Sequence, residues 1–173
     1  MLNKGINDIC NGTTREAIII ANKILNPGKS TWHFYKLRTM CNELSYVDYS
    51  GMKGGSYIHK DYPSYISSYK SAIAASTYYA VIKHLELTAA GCLTFMEVSN
   101  KNDDAEILGF KDYENAIFIN EKNYKNKFEE FLSNPNDPLW EKIANNGRKH
   151  TLENLNNDKS VESLIELIED VIQ

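Results

Sequence analysis

The sequence predicts an α/β fold in which a mostly parallel sheet carries helices on both faces. Short apolar runs of strand length alternate along the chain with stretches of helical spacing. In the clearest example, from Ser71 to Val98, two apolar runs flank an amphipathic stretch that carries Lys83 and Glu86 and ends at Gly91. This order predicts strand, helix and strand, with the two charged residues near the first strand-to-helix junction. In open α/β sheets, ligands bind at such junctions.

A length of 173 residues, with 42% hydrophobic and 24% charged residues, predicts a single domain over 1–173. We expect an irregular lead-in over 1–15, an α/β core over 16–120 and a mainly helical region over 121–173. Three cysteines without C-x-x-C spacing indicate reduced thiols and a cytoplasmic protein. The sequence has neither a membrane-spanning apolar run nor a secretory pattern, so we expect no transmembrane segment, although peripheral membrane association is compatible with it.

Charge is distributed unevenly along the chain. Residues 1–60 hold eight Lys and Arg against four Asp and Glu, whereas residues 100–173 hold nine against sixteen. The basic first third suits an anionic small ligand, or the difference is only one between solvated faces. The acidic last third is a poor surface for nucleic acid, so no nucleic-acid partner is expected.

The first half of the chain predicts strands and helices in alternation. Ala17–Leu25 is interpreted as a strand, although the capping-box spacing of Thr13 and Glu16 also allows a helix. A Gly-rich loop that includes Gly54-Gly55 is expected before the central motif; it lacks the strand and helix context of a phosphate-binding loop. The other elements predicted here are a helix over Trp32–Leu44, a strand over Tyr46–Tyr49, a helix over Tyr65–Tyr69 and a strand over Ala72–Ala75.

The second half of the chain predicts two further strands and then helices. A strand that begins at Cys92 and ends at Val98 follows the central helix. After it we expect a short helix over Asp103–Leu108, a strand over Ala116–Ile119, and helices over Lys122–Leu132, Leu139–Leu155 and Ser160–Ile172.

Four segments resemble one known family in order and spacing. Lys83 to Gly91, KHLELTAAG, is similar to a K-(Y/H)-(F/L)-E-x-x-A-x-G block, and Glu106 to Asp112, EILGFKD, to an E-x-L-G-F-x-D stretch. Asn115–Ile119 resembles the strand that follows, and Trp140–His150 resembles a helix with an I-A-x-N-G-R-K pattern. Together they resemble the carboxyl-terminal, donor-binding half of group-1-like GT-B glycosyltransferases. The resemblance covers roughly Tyr62 to Ile172 of this sequence.

This resemblance implies a Rossmann-like half of a GT-B fold that binds a nucleotide-diphospho-sugar as substrate, with no other cofactor. Glu86 would hold the ribose, and Lys83 with Arg38 would hold the diphosphate. The turn from Ser76 to Val81 would offer backbone N–H groups and a helix amino terminus. The donor-binding residues expected are Ser76, Thr77, Tyr78, Tyr79, Lys83, Glu86 and Arg38, with Asp112, Gly109 and His84 as further candidates.

The sequence also departs from the family. Retaining members commonly show E-x-(F/Y)-G-(L/I)-x-x-x-E, and here Tyr78 occupies the position of the first acid. The acceptor-binding amino-terminal half is not in this sequence, so we expect it as another domain or subunit and expect little transferase activity from this chain alone. The catalytic residues, base, sugar, acceptor and stereochemistry are not indicated.

Other interpretations of the same residues stay open. Lys83 and Glu86, three positions apart on a helix, could form only a surface ion pair, and His84 could be a packed side chain. The chain could be a non-catalytic, degenerate transferase half that serves in assembly or in sensing sugar nucleotides. A flavodoxin-like or receiver domain would draw on Asp48 and Asp103-Asp104. The four histidines show no metal-ligand spacing, so no metal is expected.

Overall fold

The structure is a computed structural model that describes Ile24, residues 31–48 and residues 61–172. Its strands are β1 (Ser71–Ala74), β2 (Leu93–Glu97) and β3 (Ile117–Ile119). Its helices are α1 (Thr31–Asn42), α2 (Tyr62–Ser67), α3 (Lys83–Ala89), α4 (Asp104–Ile107), α5 (Tyr124–Ser133), α6 (Pro138–Asn154) and α7 (Asn157–Ile172).

The strands form one parallel sheet in the order β1-β2-β3. Ala74 lies beside Met96, and Glu97 lies beside Ile119, so all three strands end at the same side of the sheet. Helix α3 makes the crossover that two parallel neighbours require. We call the side where the strands end the carboxyl edge and the opposite side the amino edge. The carboxyl edge comprises residues 75–84, 97–104 and 119–123, and the amino edge comprises residues 68–70, 88–92 and 108–116 with the part of α6 that packs on them.

One face of the sheet packs against α1 and α5. Leu93 and Phe95 of β2 are buried there, and the ring of Phe95 meets that of Phe128 edge-on at 4.9 Å between centroids. The cluster also contains Leu37 and Cys41 of α1, Ile117 and Ile119 of β3, and Tyr124 and Phe131 of α5. This burial holds α1 against the sheet through the hydrophobic effect and thereby positions Arg38.

The other face is covered by α2, α3 and α4. Met96 is buried with Ala105 and Phe110, and Ala74 is buried with its neighbours Ile66 of α2 and Leu87 of α3. All five residues of β2 are buried because helices cover both of its faces. A strand that is covered on both faces needs apolar residues at every position. This is why the sequence of β2 is a continuous apolar run and not an alternating one.

Helix α6 packs against the amino edge. Asp137 caps its first turn, since the carboxylate accepts a hydrogen bond of 2.9 Å from the Leu139 N–H. At Gly147 the helix touches the chain that enters β3, and an added Cβ would lie 2.4 Å from the Asn115 carbonyl oxygen. The Thr151 hydroxyl lies 2.8 Å from that of Thr88 on α3. Helix α6 is therefore joined to the chain entering β3 by close backbone packing and to α3 by a buried hydrogen bond.

Helix α7 is exposed along its length. Its apolar side chains remain about half accessible, as Val161 at 54% and Leu164 at 55% illustrate. Among the helices of the described ranges, none combines the length and the hydropathy needed to cross a bilayer.

Most predicted elements after residue 61 are confirmed, with bounds shifted by a few residues. The helix expected to begin at Tyr65 begins at Tyr62, with a proline in its first turn. The helix near Trp32–Leu44 is confirmed as α1, but Tyr35 interrupts its regular geometry with φ −138° and ψ 37°.

One strand prediction is wrong. Residues 46–48 of the strand expected over Tyr46–Tyr49 form turns after α1, and the Val47 N–H donates to the Leu44 carbonyl oxygen at 3.1 Å. Local hydrogen bonds that extend the end of the helix thus outweigh the β propensity of the residues. Ile24 is helical, so the strand predicted over Ala17–Leu25 is wrong at that residue. The rest of that strand, the lead-in over 1–15, Tyr49 and Gly54-Gly55 lie outside the described residues.

Candidate functional site

The carboxyl edge is built from the segments that follow β1 and β2. Ser76 is fully buried, and its carbonyl oxygen accepts a hydrogen bond of 2.6 Å from the Asn102 side-chain amide. The Ala80 N–H donates to the Asp104 carboxylate at 2.6 Å. These two bonds tie the segment after β1 to the segment after β2. The second bond also uses the Ala80 N–H, which lies in the turn that the family resemblance assigns to an anionic ligand.

Four buried side-chain atoms in the described ranges have no hydrogen-bond partner. They are Ser76 Oγ, Thr77 Oγ1, His84 Nε2 and Glu97 Oε2. All four belong to the carboxyl edge. Buried polar atoms are normally paired, because removing an unpaired group from water costs about 1–3 kcal/mol in proteins. Four such atoms at one edge therefore indicate a place where water or a ligand supplies the missing partners.

His84 lies in the first turn of α3 and is 1% exposed. Its Nδ1 lies 2.9 Å from the Val81 carbonyl oxygen and donates to it in the Nδ1–H tautomer. Nδ1 also lies 3.2 Å from the Val81 nitrogen, whose N–H donates to it in the other tautomer. Nε2 is therefore an acceptor in the first tautomer and a donor in the second. Burial lowers the pKa of His84, which favours the neutral ring. The histidine is thus packed, as one interpretation of the sequence held, and its Nε2 is a buried ring nitrogen without a partner.

Glu97 is the functional candidate that the sequence reasoning missed. It is the last residue of β2 and is 3% exposed. Burial, and secondarily the negative charge of Glu121, raises its pKa to about 7. A sequence signal for it existed, since Glu97 is the only charged residue in the apolar run from Cys92 to Val98. A buried acid at the end of a parallel strand is a recurring property of ligand sites.

Lys83 and Glu86 form an ion pair on α3, with side chains 42% and 34% exposed respectively. The Lys83 ammonium also donates to the Tyr62 hydroxyl of α2 and lies 4.2 Å from the centre of that ring. Burial lowers the pKa of Lys83, but the hydrogen bonds to Glu86 and Tyr62 outweigh it, so the net pKa is raised. The ion pair that the alternative interpretation of these residues expects is present, and each charge has a partner within the chain.

Arg38 lies close to the segment after β1. Its guanidinium stacks on the Tyr35 ring at 3.8 Å from the centroid. Tyr35 forms a hydrogen bond with Tyr79 that raises the pKa of Tyr79. Arg38 is thus held near the carboxyl edge through a tyrosine pair that the sequence did not indicate.

Tyr78 and Tyr79 lie outside helix α3. This helix begins at Lys83 with Ile82 as its N-cap, so Tyr79 does not share a helix face with Lys83 and Glu86. Tyr79 is 42% exposed, and the Tyr78 ring lies 5.5 Å from the Lys101 ammonium. The segment after β1 is irregular because its polar groups bond to Asp104 and Asn102, not to a helix.

Asp112 and Gly109 belong to the amino edge, away from the segment after β1. The Asp112 carboxylate accepts the Phe118 N–H at 2.8 Å and pairs with Lys127 at 3.0 Å. Gly109 has a positive φ of 84°, and an added Cβ would lie 2.9 Å from the His150 ring. Both residues have structural roles that account for them, so the structure does not group them with Glu86 and Arg38.

The acidic residues that a receiver or flavodoxin-like domain would need are not assembled. Asp48 accepts a hydrogen bond of 2.6 Å from the Tyr69 hydroxyl, and Asp104 bonds to the Ala80 N–H. Within residues 31–48 and 61–172, no group of three or more His, Cys, Asp or Glu side chains is arranged to hold a metal ion.

No family model, curated protein or solved structure matches this chain. The α/β architecture with its parallel sheet is established by the strand pairing. Any functional assignment therefore depends on the chemistry of the carboxyl edge.

Proposed function

We propose that this chain is the nucleotide-sugar donor-binding domain of a GT-B glycosyltransferase, which transfers a sugar from a nucleotide diphosphate to an acceptor bound elsewhere. The β1–α3–β2 unit supports this proposal, because such units bind nucleotides beyond the carboxyl ends of their strands. The resemblance of Lys83–Gly91 and of the later segments to that family supports it from the sequence side.

The unpartnered atoms of Ser76, Thr77, His84 and Glu97 carry the proposal. They are buried polar groups of hydroxyl, imidazole and carboxyl type, and they lie where a parallel α/β sheet accepts ligands. A nucleotide sugar presents several hydroxyl groups that could pair with them.

The cations near this edge would serve the diphosphate. Lys83 and Arg38 flank the segment after β1 from different sides, through Tyr62 and Tyr35 respectively. A leaving nucleotide diphosphate develops negative charge on its phosphate oxygens, which fixed cations stabilise. Glu86, held beside Lys83, would accept hydrogen bonds from the ribose hydroxyls.

A second candidate is a non-catalytic module that binds a sugar nucleotide or another protein. This candidate is favoured because groups expected to bind the nucleotide already have partners within the chain. Glu86 is paired with Lys83, and the Ala80 N–H is bonded to Asp104. Tyr78 also stands where retaining enzymes of the family have their first acid.

Calorimetric titration of the 173-residue chain with UDP, GDP, ADP and CDP tests the proposal. We expect one of them to bind, and Glu86→Gln to weaken that binding about tenfold, which matches the loss of a hydrogen bond to a charged group. Glu162→Gln is the matched control, because Glu162 forms an equally spaced ion pair with Lys159 on the remote helix α7. If no nucleotide binds at millimolar concentration, or if both variants bind like wild type, the assignment of this site fails.

A turnover assay separates the two candidates. Release of the nucleotide diphosphate from its sugar nucleotide is measured with the chain alone and with a separately expressed acceptor-binding half. Turnover that requires both proteins supports the enzyme. Binding without turnover under either condition supports the non-catalytic module.

A further inference from the structure

We infer that Glu97 is the sugar-binding carboxylate of the proposed donor site and accepts a hydrogen bond from a sugar hydroxyl. This inference rests on the proposed function and adds a residue that the family resemblance does not supply. Its basis is the position of the side chain, the state of its oxygen atoms and the charges around it.

The position of Glu97 is central to the carboxyl edge. It ends the middle strand, one residue beyond Met96, the partner of Ala74. Ser76, with its own unpaired hydroxyl, lies two residues beyond Ala74 on the neighbouring strand, and Asn102 bonds to it from the segment after β2. A ligand that reaches the hydroxyl of Ser76 is therefore close to the end of β2.

Three other carboxylates near this edge already have partners. Asp104 accepts the Ala80 N–H, Glu86 pairs with Lys83, and Glu121 pairs with Lys36 of α1. Among the residues that the structure describes, Glu97 is the one carboxylate with a buried oxygen that lacks a hydrogen bond. It is therefore the buried acid at this edge that can accept a ligand without losing a bond within the chain.

The charges around Glu97 favour a ligand group that donates a hydrogen bond and carries no charge. Glu121 places a second negative charge nearby, and the thiol of Cys41, whose pKa Glu97 helps to raise, faces it from α1. A phosphate would be repelled by the Glu97 carboxylate, whose neighbour Glu121 is already paired with Lys36. A hydroxyl group brings no charge and can donate the hydrogen bond that Glu97 Oε2 lacks. The chemistry thus points to the sugar, and it assigns the diphosphate to Lys83 and Arg38.

The test compares a nucleoside diphosphate with its sugar conjugate. The 173-residue chain and its Glu97→Gln variant are titrated by calorimetry with UDP, GDP, ADP and CDP, and with UDP-glucose, GDP-mannose, ADP-glucose and CDP-glucose. Glu153→Gln, on the exposed side of α6, is the matched control. We expect Glu97→Gln to weaken binding of the sugar conjugate by about ten- to a hundredfold, the effect of losing a hydrogen bond to a charged group. Binding of the free nucleoside diphosphate should be unchanged.

The outcomes separate this inference from the proposal beneath it. If wild type binds none of the eight ligands, the proposed function fails. If wild type binds a sugar conjugate and Glu97→Gln binds it equally well, only the role of Glu97 is overturned. Equal weakening of the conjugate and the free diphosphate also overturns it, because Glu97 would then act on the nucleotide or on folding. Thermal unfolding of the variant shows whether it is folded at the titration temperature.

Discussion

At the amino edge of the sheet, the buried hydroxyls of Thr88 and Thr151 lie 2.8 Å apart and share a hydrogen bond. At the carboxyl edge, the hydroxyls of Ser76 and Thr77 are buried to a similar degree but have no partner. The first pair joins α3 to α6 and contributes to the stability of the fold. The second pair contributes no bond and carries a desolvation cost.

The difference between the edges separates structural from functional demands. At the amino edge, polar contacts of α6 connect it to other elements, as the His150 ring does by bonding to the Leu108 carbonyl oxygen at 2.8 Å. The carboxyl edge retains unpaired groups and a buried acid, which a fold selected for stability alone would replace by apolar residues. We therefore expect substitutions at the amino edge to destabilise the protein. At the carboxyl edge, replacing an unpaired polar group by an apolar one, or the buried acid by a neutral side chain, should leave the protein equally or more stable.

The largest effect is expected at Gly147. In Gly147→Ala the new Cβ would lie 2.4 Å from the Asn115 carbonyl oxygen, so α6 or the chain entering β3 must move. Overpacking against backbone is expected to lower the free energy of unfolding by about 3 kcal/mol. Urea unfolding measures this, with Asn145→Ala on the exposed side of α6 as the control. Equal stability of the two variants would show that the amino edge is not closely packed.

The next effect concerns Glu97 and pH. Its pKa rises from an ordinary 4.5 to about 7 on folding, so the folded protein binds more protons than the unfolded chain between these values. Stability should therefore be highest below pH 4.5 with respect to this group and fall as the pH rises to about 7. Relative to Glu97→Gln, wild type should lose about 2 kcal/mol over this interval. A difference between the two proteins that does not vary with pH would mean that the carboxyl is solvated.

The smallest effect tests the hydroxyl pairs directly. Thr151→Val removes one partner of a buried bond and should cost about 1 kcal/mol, whereas Ser76→Ala removes an unpaired hydroxyl and should cost nothing. The two free energies of unfolding are compared under one buffer condition. If Ser76→Ala proves as costly as Thr151→Val, the Ser76 hydroxyl has a partner, and the contrast between the edges is lost.

Much of the fold follows from local patterns in the sequence. The apolar run around Phe95 and the helical spacing from Lys83 predicted β2 and α3, and both are present. The strand predicted at Tyr46–Tyr49 failed over residues 46–48, because a short polar-flanked segment does not indicate whether a sheet edge is available to pair with it.

The site was predicted less completely than the fold. The pairing of Lys83 with Glu86 follows from spacing on one helix, which any sequence displays. Arg38 lies near Tyr79 because Tyr35 contacts both residues and because α1 packs against the sheet. No local sequence pattern indicates that two residues so far apart in the chain come together. Asp112 and Gly109 are candidates because Glu106–Asp112 resembles the family's E-x-L-G-F-x-D stretch, and the direction of β3 puts them at the opposite edge.

By itself, the sequence determined the order of elements, the parallel sheet and the charged pair on α3, because these depend on periodicity within a few residues of each position. Only the tertiary structure decided which polar groups are left without partners. Whether Ser76, His84 and Glu97 are satisfied depends on atoms from other elements that burial brings within a few ångströms. Burial also raises the pKa of Glu97 to about 7, since the low dielectric interior and the charge of Glu121 both oppose its ionisation.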